Sequence, residues 1–83
     1  MNNEPVVATI KIGLDETLLK IVNTALNLEA KTPSSERSET NVYIEAGFLV
    51  IQTKAADTSA LRAALNSYLR WVEEIQNIVT SIK

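Results

Sequence analysis

The chain has no cysteine, no histidine, and only two glycines and two prolines among its 83 residues. Without cysteine there is no disulfide framework, and without either residue a zinc site would have to be built from carboxylates alone, although zinc prefers nitrogen and sulfur ligands. Histidine and cysteine are also the usual general bases and nucleophiles of enzymes. The composition therefore favours a protein that catalyses no reaction and carries no metal or other cofactor.

Charge is balanced, with eight Lys and Arg against ten Asp and Glu, for a net of −2. A dedicated nucleic-acid binder normally has a clear basic excess, so we expect at most a local contact with nucleic acid inside a larger assembly. No apolar run approaches the roughly 20 residues of a membrane span, and residues 1–5 lack the basic segment of a signal peptide. We therefore expect a cytoplasmic protein with no membrane partner, and the lack of cysteine fits a reducing compartment.

The length predicts a single domain, residues 1–83, with a small core. A domain of this size buries only about 60–65% of the surface that its unfolded chain exposes, so its stability is marginal. Because disulfides and zinc are excluded, association with another chain is the stabilising device that remains.

The first half of the chain predicts a strand followed by a helix. Residues 5–12 alternate, with one face made of Val6, Ala8, Ile10 and Ile12. Gly13 ends the strand, and Asp15 is a candidate N-cap for a helix that runs to about Ala30. Its apolar positions repeat with helical spacing, at Leu18, Ile21, Val22, Ala25, Leu26 and Leu28, with Leu14 and Leu19 beside them. Residues 31–39 are polar and predict a mobile loop.

The second half predicts a β-hairpin and a long helix. Strands over residues 40–45 and 48–55 are joined by Ala46-Gly47, where Gly47 supplies the positive φ of a tight turn. A two-residue turn sets Ile44 opposite Leu49 and Val42 opposite Ile51, so that the four share one face. The last helix starts at a cap among residues 57–59 and runs to about Ser81. Its apolar arc covers about half the circumference, wider than a sheet alone requires.

The order β-α-β-β-α predicts an α+β fold, with a three-stranded antiparallel sheet and both helices on one face. Residues 48–54 form the most continuously apolar strand, so we place this strand in the centre and leave two open edges. The outline resembles a KH domain. The two glycines, Gly13 and Gly47, cannot form the GxxG loop with which KH domains clamp nucleic acid.

The last helix carries the candidate binding residues. Arg62, Asn66 and Arg70 recur every four residues and form one polar stripe. They are either a solvated face, with Arg70 paired to Glu73 or Glu74, or a stripe that contacts carboxylate or phosphate, to which arginine is well suited. Trp71 is either a core residue or the anchor of an interface. The pattern leaves both questions open.

Residues 57–71, DTSALRAALNSYLRW, closely resemble the signature D-x-x-x-L-R-x-x-L-N-S-Y-L-R-W of the Pcc-type small subunit of the KEOPS complex. Length and element order agree over nearly the whole chain, while the specific match is confined to this helix. The matched positions are Leu61, Arg62, Leu65, Asn66, Tyr68, Leu69, Arg70 and Trp71.

The resemblance implies a role in KEOPS, which installs threonylcarbamoyl on an adenosine of tRNA. In that family the chemistry belongs to a transferase subunit of the ASKHA fold. The Pcc-type subunit packs its helices against those of the transferase, forms a dimer through its sheet and helps the complex hold tRNA. No small-molecule substrate is implied. The predicted apolar partner contacts are Leu69, Trp71, Ile75 and Ile78, and the predicted polar contacts with a partner or tRNA are Arg62, Asn66 and Arg70.

Two further predictions and two alternatives complete the interpretation. Periodicity, rather than resemblance, places Leu19 and Leu26 among the partner contacts on the first helix, and the open strands predict a homodimer through sheet edges. A stand-alone KH-like RNA-binding module is disfavoured by the missing GxxG loop and the net charge of −2. A paralogue that pairs with the Pcc-type subunit as a heterodimer is disfavoured by the intact signature helix.

Overall fold

The computed structural model describes residues 4–31 and 38–82, and these confirm the predicted order and class. The elements are β1 (Val6–Gly13), α1 (Glu16–Lys31), β2 (Ser38–Glu45), β3 (Phe48–Ala55) and α2 (Thr58–Ile82). The ends of the predicted 31–39 loop belong to α1 and β2, and its middle, residues 32–37, lies outside the described residues. The fold is α+β, with three strands and two helices.

Strand β3 is the centre of the sheet, and β1 and β2 pair with it in antiparallel fashion from either side. The predicted hairpin register is confirmed, because Ile44 faces Leu49 and Val42 faces Ile51. Both turn residues have positive φ, 52° at Ala46 and 83° at Gly47, as a type I′ turn requires. The strained alanine was not anticipated from the sequence, in which only Gly47 was assigned the left-handed conformation.

Each helix begins at an aspartate that caps it. The Leu18 backbone N–H donates to Asp15 Oδ1 at 2.9 Å, and the Ala60 N–H donates to Asp57 Oδ1 at 2.8 Å. A carboxylate in this position satisfies a backbone donor that has no partner inside the helix and interacts favourably with the helix dipole. The predicted cap Asp15 is confirmed, and Asp57 is the residue that caps α2 among its three candidates.

The core lies between the inner face of the sheet and the two helices. Leu49 and Ile51 of β3 are fully buried at its centre. Helix α1 packs chiefly over β2, and α2 packs over β3 and β1. The α1 residues in the core are Leu18, Leu19, Val22 and Leu26. The buried arc of α1 is narrower than the predicted apolar stripe and is turned toward Leu19. Ile21 and Leu28, which belonged to the predicted stripe, are therefore exposed.

Within residues 4–31 and 38–82, no helix lies over the outer face of the sheet. Val50 lies on this face and is nevertheless fully buried, because it stands between Lys11 and Tyr43 on the neighbouring strands. Lys11 also reaches across the face to Glu45, with 3.6 Å between Nζ and Oε1. Val7, Tyr43 and Phe48 remain exposed. Side chains of the outer face itself therefore cover Val50.

Candidate partner-binding surface

Helix α2 is much longer than the surface that supports it. Its 25 residues span about 37 Å, whereas the eight-residue strands beneath it span about 27 Å. Among its residues with described side chains, only Tyr68 and Val72 are buried. The signature residues Leu61 and Leu65 are half-buried. Much of the wide apolar arc of α2 is therefore not covered by the fold.

Trp71 lies at the border of the core. Its ring contacts Tyr68 edge to face, with centroids 5.1 Å apart and planes inclined by 75°, a favoured geometry for an aromatic pair. The side chain packs against the core but remains partly exposed. Ile75 occupies a similar half-buried position one turn further on. Both residues combine a fixed position with accessible apolar surface.

The most exposed apolar side chains of the helices, one on α1 and one on α2, together with apolar side chains near them on the same helix, define a candidate surface. Leu28 of α1 is 65% exposed and Ile78 of α2 is 60% exposed. We call this the helix-pair surface, and it consists of Ile21, Leu28, Trp71, Ile75 and Ile78. Tyr68 senses the charge of Glu29 on α1 and bonds to Thr40 on β2. Its ring neighbour Trp71 therefore lies on the side of α2 that is closer to α1. The sequence interpretation placed Ile21 and Leu28 in the apolar stripe of α1 and did not single them out as partner contacts.

Leu19 and Leu26 are not part of this surface. Their side chains are 6% and 1% exposed and lie in the core cluster of α1. The same periodicity that marks a partner-binding helix marks a core-facing one, and periodicity alone could not separate the two. Their predicted role in partner contact is therefore unsupported, since neither offers accessible surface in this subunit.

The polar stripe of α2 is exposed along its whole length. Arg62, Asn66 and Arg70 are all exposed. Within the part of the chain that the structure describes, the ion pairs are Lys11–Glu45 and Lys20–Glu16, so neither arginine is engaged in one. The local pair expected between Arg70 and Glu73 or Glu74 is not formed, and both guanidinium groups are available to another molecule.

Leu69 lies apart from Trp71. Successive residues of an α-helix are turned by about 100°, so two residues separate these side chains by about 160° around the axis. Leu69 therefore stands beside Arg62 and Asn66 on a different side of α2 from Trp71, and it is 38% exposed. The four predicted apolar contacts accordingly belong to two different surfaces.

The polar groups inside the fold are satisfied by one another. The hydroxyl groups of Thr40 and Thr53 lie 3.0 Å apart, and the Tyr68 hydroxyl bonds to Thr40. Burial is the main cause that raises the pKa of Tyr68, followed by the charge of Glu29, while the Thr40 bond acts in the opposite direction. Among residues 4–31 and 38–82, no buried side-chain nitrogen or oxygen lacks a partner. This cluster is a structural network.

Residues 4–31 and 38–82 contain neither a metal-binding cluster nor a membrane-spanning helix. They contain no group of three or more Asp or Glu side chains placed to hold a metal ion. In the same residues, neither helix combines the length and hydropathy needed to span a bilayer.

Comparison with known proteins agrees with the fold and the signature helix. The family model described as "Transcription factor Pcc1" matches residues 7–78. The KEOPS complex subunit Pcc1 of Pyrococcus abyssi (strain GE5 / Orsay) is 34% identical over 58 residues, which cover 70% of this chain and 71% of that protein. The match to the family model includes all five elements, and this chain belongs to the Pcc1 family.

Proposed function

We propose that the chain is a non-catalytic scaffold subunit of a KEOPS complex. In this proposal its two helices bind the transferase subunit, its sheet edges pair with a second copy, and the assembled complex uses it to help hold tRNA. Membership of the Pcc1 family supports a role as a KEOPS component. The surface features of the two helices support the finer assignments.

The observation that carries the proposal is the helix-pair surface. Two antiparallel helices that rest on a sheet leave outward grooves, into which the ridges of two further helices can pack. Leu28 and Ile78 are more than half exposed, and Trp71 has the residue type and partial burial of an interface anchor. A helical partner would bury all three at once.

The polar stripe is assigned a second role. Arg70 is exposed, and no ion pair occupies it within the described ranges. A guanidinium group of this kind contacts a phosphate or a carboxylate through two hydrogen bonds. Because the net charge of the chain is −2, a phosphate contact here is local, and tRNA affinity belongs to the complex and falls steeply with salt.

The test is a binding titration between the purified chain and the transferase subunit of the same complex. Leu28→Glu and Ile78→Glu should each weaken binding at least tenfold, because each buries a charge in an apolar interface. Both positions are exposed, so the fold should be preserved, as circular dichroism will show. Val7→Glu is the matched control, since Val7 is an exposed apolar residue on the outer face of the sheet, and it should bind as the natural chain does.

Unchanged affinity in both helix variants would place the partner elsewhere. Tight and salt-resistant binding of tRNA by the isolated chain would favour a stand-alone RNA-binding module instead. A chain that binds a paralogous small subunit but not the transferase would favour the heterodimer reading.

A further inference from the structure

A cavity of about 440 Å³ lies where the last residues of α1 meet the edge strand β2. Three elements form its walls: Asn27, Ala30 and Lys31 belong to α1, residues 40–43 to β2, and Gln52 to β3. The volume falls within the range of about 300–1,000 Å³ that is usual for small-molecule sites. The proposed contact between the helices and the transferase assigns no role to this cavity.

The lining is rich in hydrogen-bonding groups and holds one charge. Asn27, Asn41 and Gln52 supply three amide groups, and Lys31 supplies the charge. None of the described lining residues is a carboxylate, although the chain as a whole has ten acidic residues against eight basic ones. A cavity of this composition suits a ligand that carries several hydrogen-bonding groups and a negative charge.

Several of these polar groups have hydrogen-bonding capacity left over. The Asn27 amide nitrogen donates to the Asn23 backbone oxygen at 2.8 Å and to Asn23 Oδ1 at 3.0 Å. These two bonds fix the Asn27 side chain, while its own Oδ1 accepts no hydrogen bond from any residue that the structure describes. Within the same residues, no hydrogen bond or ion pair engages the exposed side chains of Lys31 and Asn41.

The open edge of β2 adds backbone groups to the cavity. Strand β2 pairs with β3 on one side only. Glu45 and Phe48 flank the two-residue turn and face each other in register, and a pair in this position exchanges both of its backbone hydrogen bonds. Because bonded and non-bonded pairs alternate along the ladder, the N–H and C=O groups of Thr40 and Val42 point to the open edge. They offer a donor beside an acceptor, as the Watson–Crick edge of a nucleobase does.

An aromatic ring and a cation complete the lining. Tyr43 is 39% exposed on the outer face of the sheet. Exposed aromatic side chains stack on unpaired bases, and this stacking is tolerant of base identity. Lys31 stands on the α1 wall, where its ammonium group can contact a phosphate as a point charge.

We propose that this cavity receives one unpaired base of single-stranded RNA. The base stacks on Tyr43, its edge bonds to the Asn41 amide and to the open edge of β2, and its phosphate lies near Lys31. This inference rests on the part of the proposed function in which the chain helps to hold tRNA, and it names a site for that contact. A base inside a duplex is already stacked and paired, so it cannot enter.

A peptide strand fits the cavity less well than a base does. A strand that adds to a sheet needs an open run along the edge, whereas Asn27 and Lys31 of α1 form a wall of the cavity beside residues 40–43. The charge of Lys31 also matches a phosphate group, which a peptide backbone lacks.

NMR spectra of the full chain, labelled with ¹⁵N and titrated with a single-stranded RNA of about eight nucleotides, test the site. The amide signals of residues 40–43 and the side-chain amides of Asn27 and Asn41 should shift. The same RNA annealed to its complement should leave them in place. Tyr43→Ala should weaken binding about fivefold or more, because stacking is lost, and Tyr43→Phe should bind as the natural chain does. Asn41→Ala and Lys31→Gln should each weaken binding about threefold or more.

Two comparisons separate this site from other contacts. Arg70→Gln, on the polar stripe of α2, should leave the shifts of residues 40–43 unchanged. RNA shifts confined to the polar stripe would overturn the cavity as the site while the tRNA role remains, and so would unchanged affinity in Tyr43→Ala and Asn41→Ala. Equal shifts with the duplex would overturn recognition of an unpaired base. A soluble peptide of alternating Thr and Lys is the last probe, and shifts of residues 40–43 with this peptide but not with RNA would assign the edge to a strand instead. The titration with the transferase subunit is independent of all these outcomes.

Discussion

Ala46 has a backbone conformation that is unfavourable for alanine. Its φ of 52° lies in the left-handed region, which costs an alanine about 1 kcal/mol because Cβ approaches the carbonyl oxygen. Asparagine tolerates this conformation and is preferred before glycine in type I′ turns. We expect Ala46→Asn to raise the free energy of unfolding by about 0.5–1 kcal/mol, as measured by urea denaturation. Ala46→Val, which is β-branched, should lower it, and equal stability of both variants would contradict the strain.

Tyr68 makes the stability of the fold depend on alkaline pH. Burial raises its pKa above the ordinary value of about 10, so the folded state favours the neutral phenol. The contribution of the neutral Tyr68 side chain to the free energy of unfolding is complete below pH 10 and is lost as the pH rises through the pKa of the folded state. We expect Tyr68→Phe to lower the free energy of unfolding by about 1 kcal/mol at pH 7, because the hydrogen bond to Thr40 is lost. Between pH 9 and 11, the free energy of unfolding of this variant should decline less steeply than that of the natural chain.

Urea titrations at each pH measure this difference. Tyr43→Phe is the control for removal of a tyrosine hydroxyl, because Tyr43 lies exposed on the outer face of the sheet, and this variant should keep the free energy of unfolding of the natural chain at pH 7. Equal alkaline slopes for Tyr68→Phe and the natural chain would show that the buried phenol does not govern the decline.

At the scale of elements, the hairpin and the helix starts were predictable because local chemistry decides them. Gly47 after Ala46 fixed the register of β2 against β3, and aspartates marked the first turn of both helices. The central place of β3 followed from its continuous apolar run, which indicates burial on both faces. A central strand has a neighbour on each edge, and the side chains of both neighbours help to cover it. In each case the controlling residues lie within a few positions of the feature they determine.

The orientation of the helices about their own axes was harder to predict. On α1 the apolar residues cover about half of the circumference, with Leu19 at one border and Ile21 near the other, so the rotation of the helix about its axis decides which of the two is buried. Which of them is buried depends on where the sheet lies, and this is a tertiary fact that helical periodicity does not contain. On α2 the specific signature singled out residues that are exposed or half-buried, apart from the buried Tyr68, whereas on α1 only the period was available and it singled out the buried Leu19 and Leu26.

The separation of Leu69 from Trp71 shows what the structure adds on α2. In the sequence the two residues lie close together and were grouped as one apolar contact. Helical geometry alone turns the two side chains to different sides of α2. The structure adds that Trp71 packs against the core whereas Leu69 is exposed, and this difference depends on where the sheet and α1 lie.

At the scale of the whole molecule, the small core leads us to expect that stability depends on association. A domain of 83 residues buries a modest fraction of its surface, and β1 leaves part of its inward face half-covered. If dimerisation completes that core, unfolding converts one dimer into two chains, and mass action links the melting temperature to protein concentration. For about 2.1 cal/mol/K of unfolding entropy per residue, a tenfold rise in concentration should raise the melting temperature by about 4 °C.

Differential scanning calorimetry at three concentrations spanning two decades measures this dependence. Leu28→Glu should keep the slope of the natural chain, because the proposed dimer forms through the sheet and Leu28 lies exposed on α1. A concentration-independent melting temperature in the natural chain would mean that each subunit is stable by itself, and the half-covered face of β1 would then be surface rather than interface.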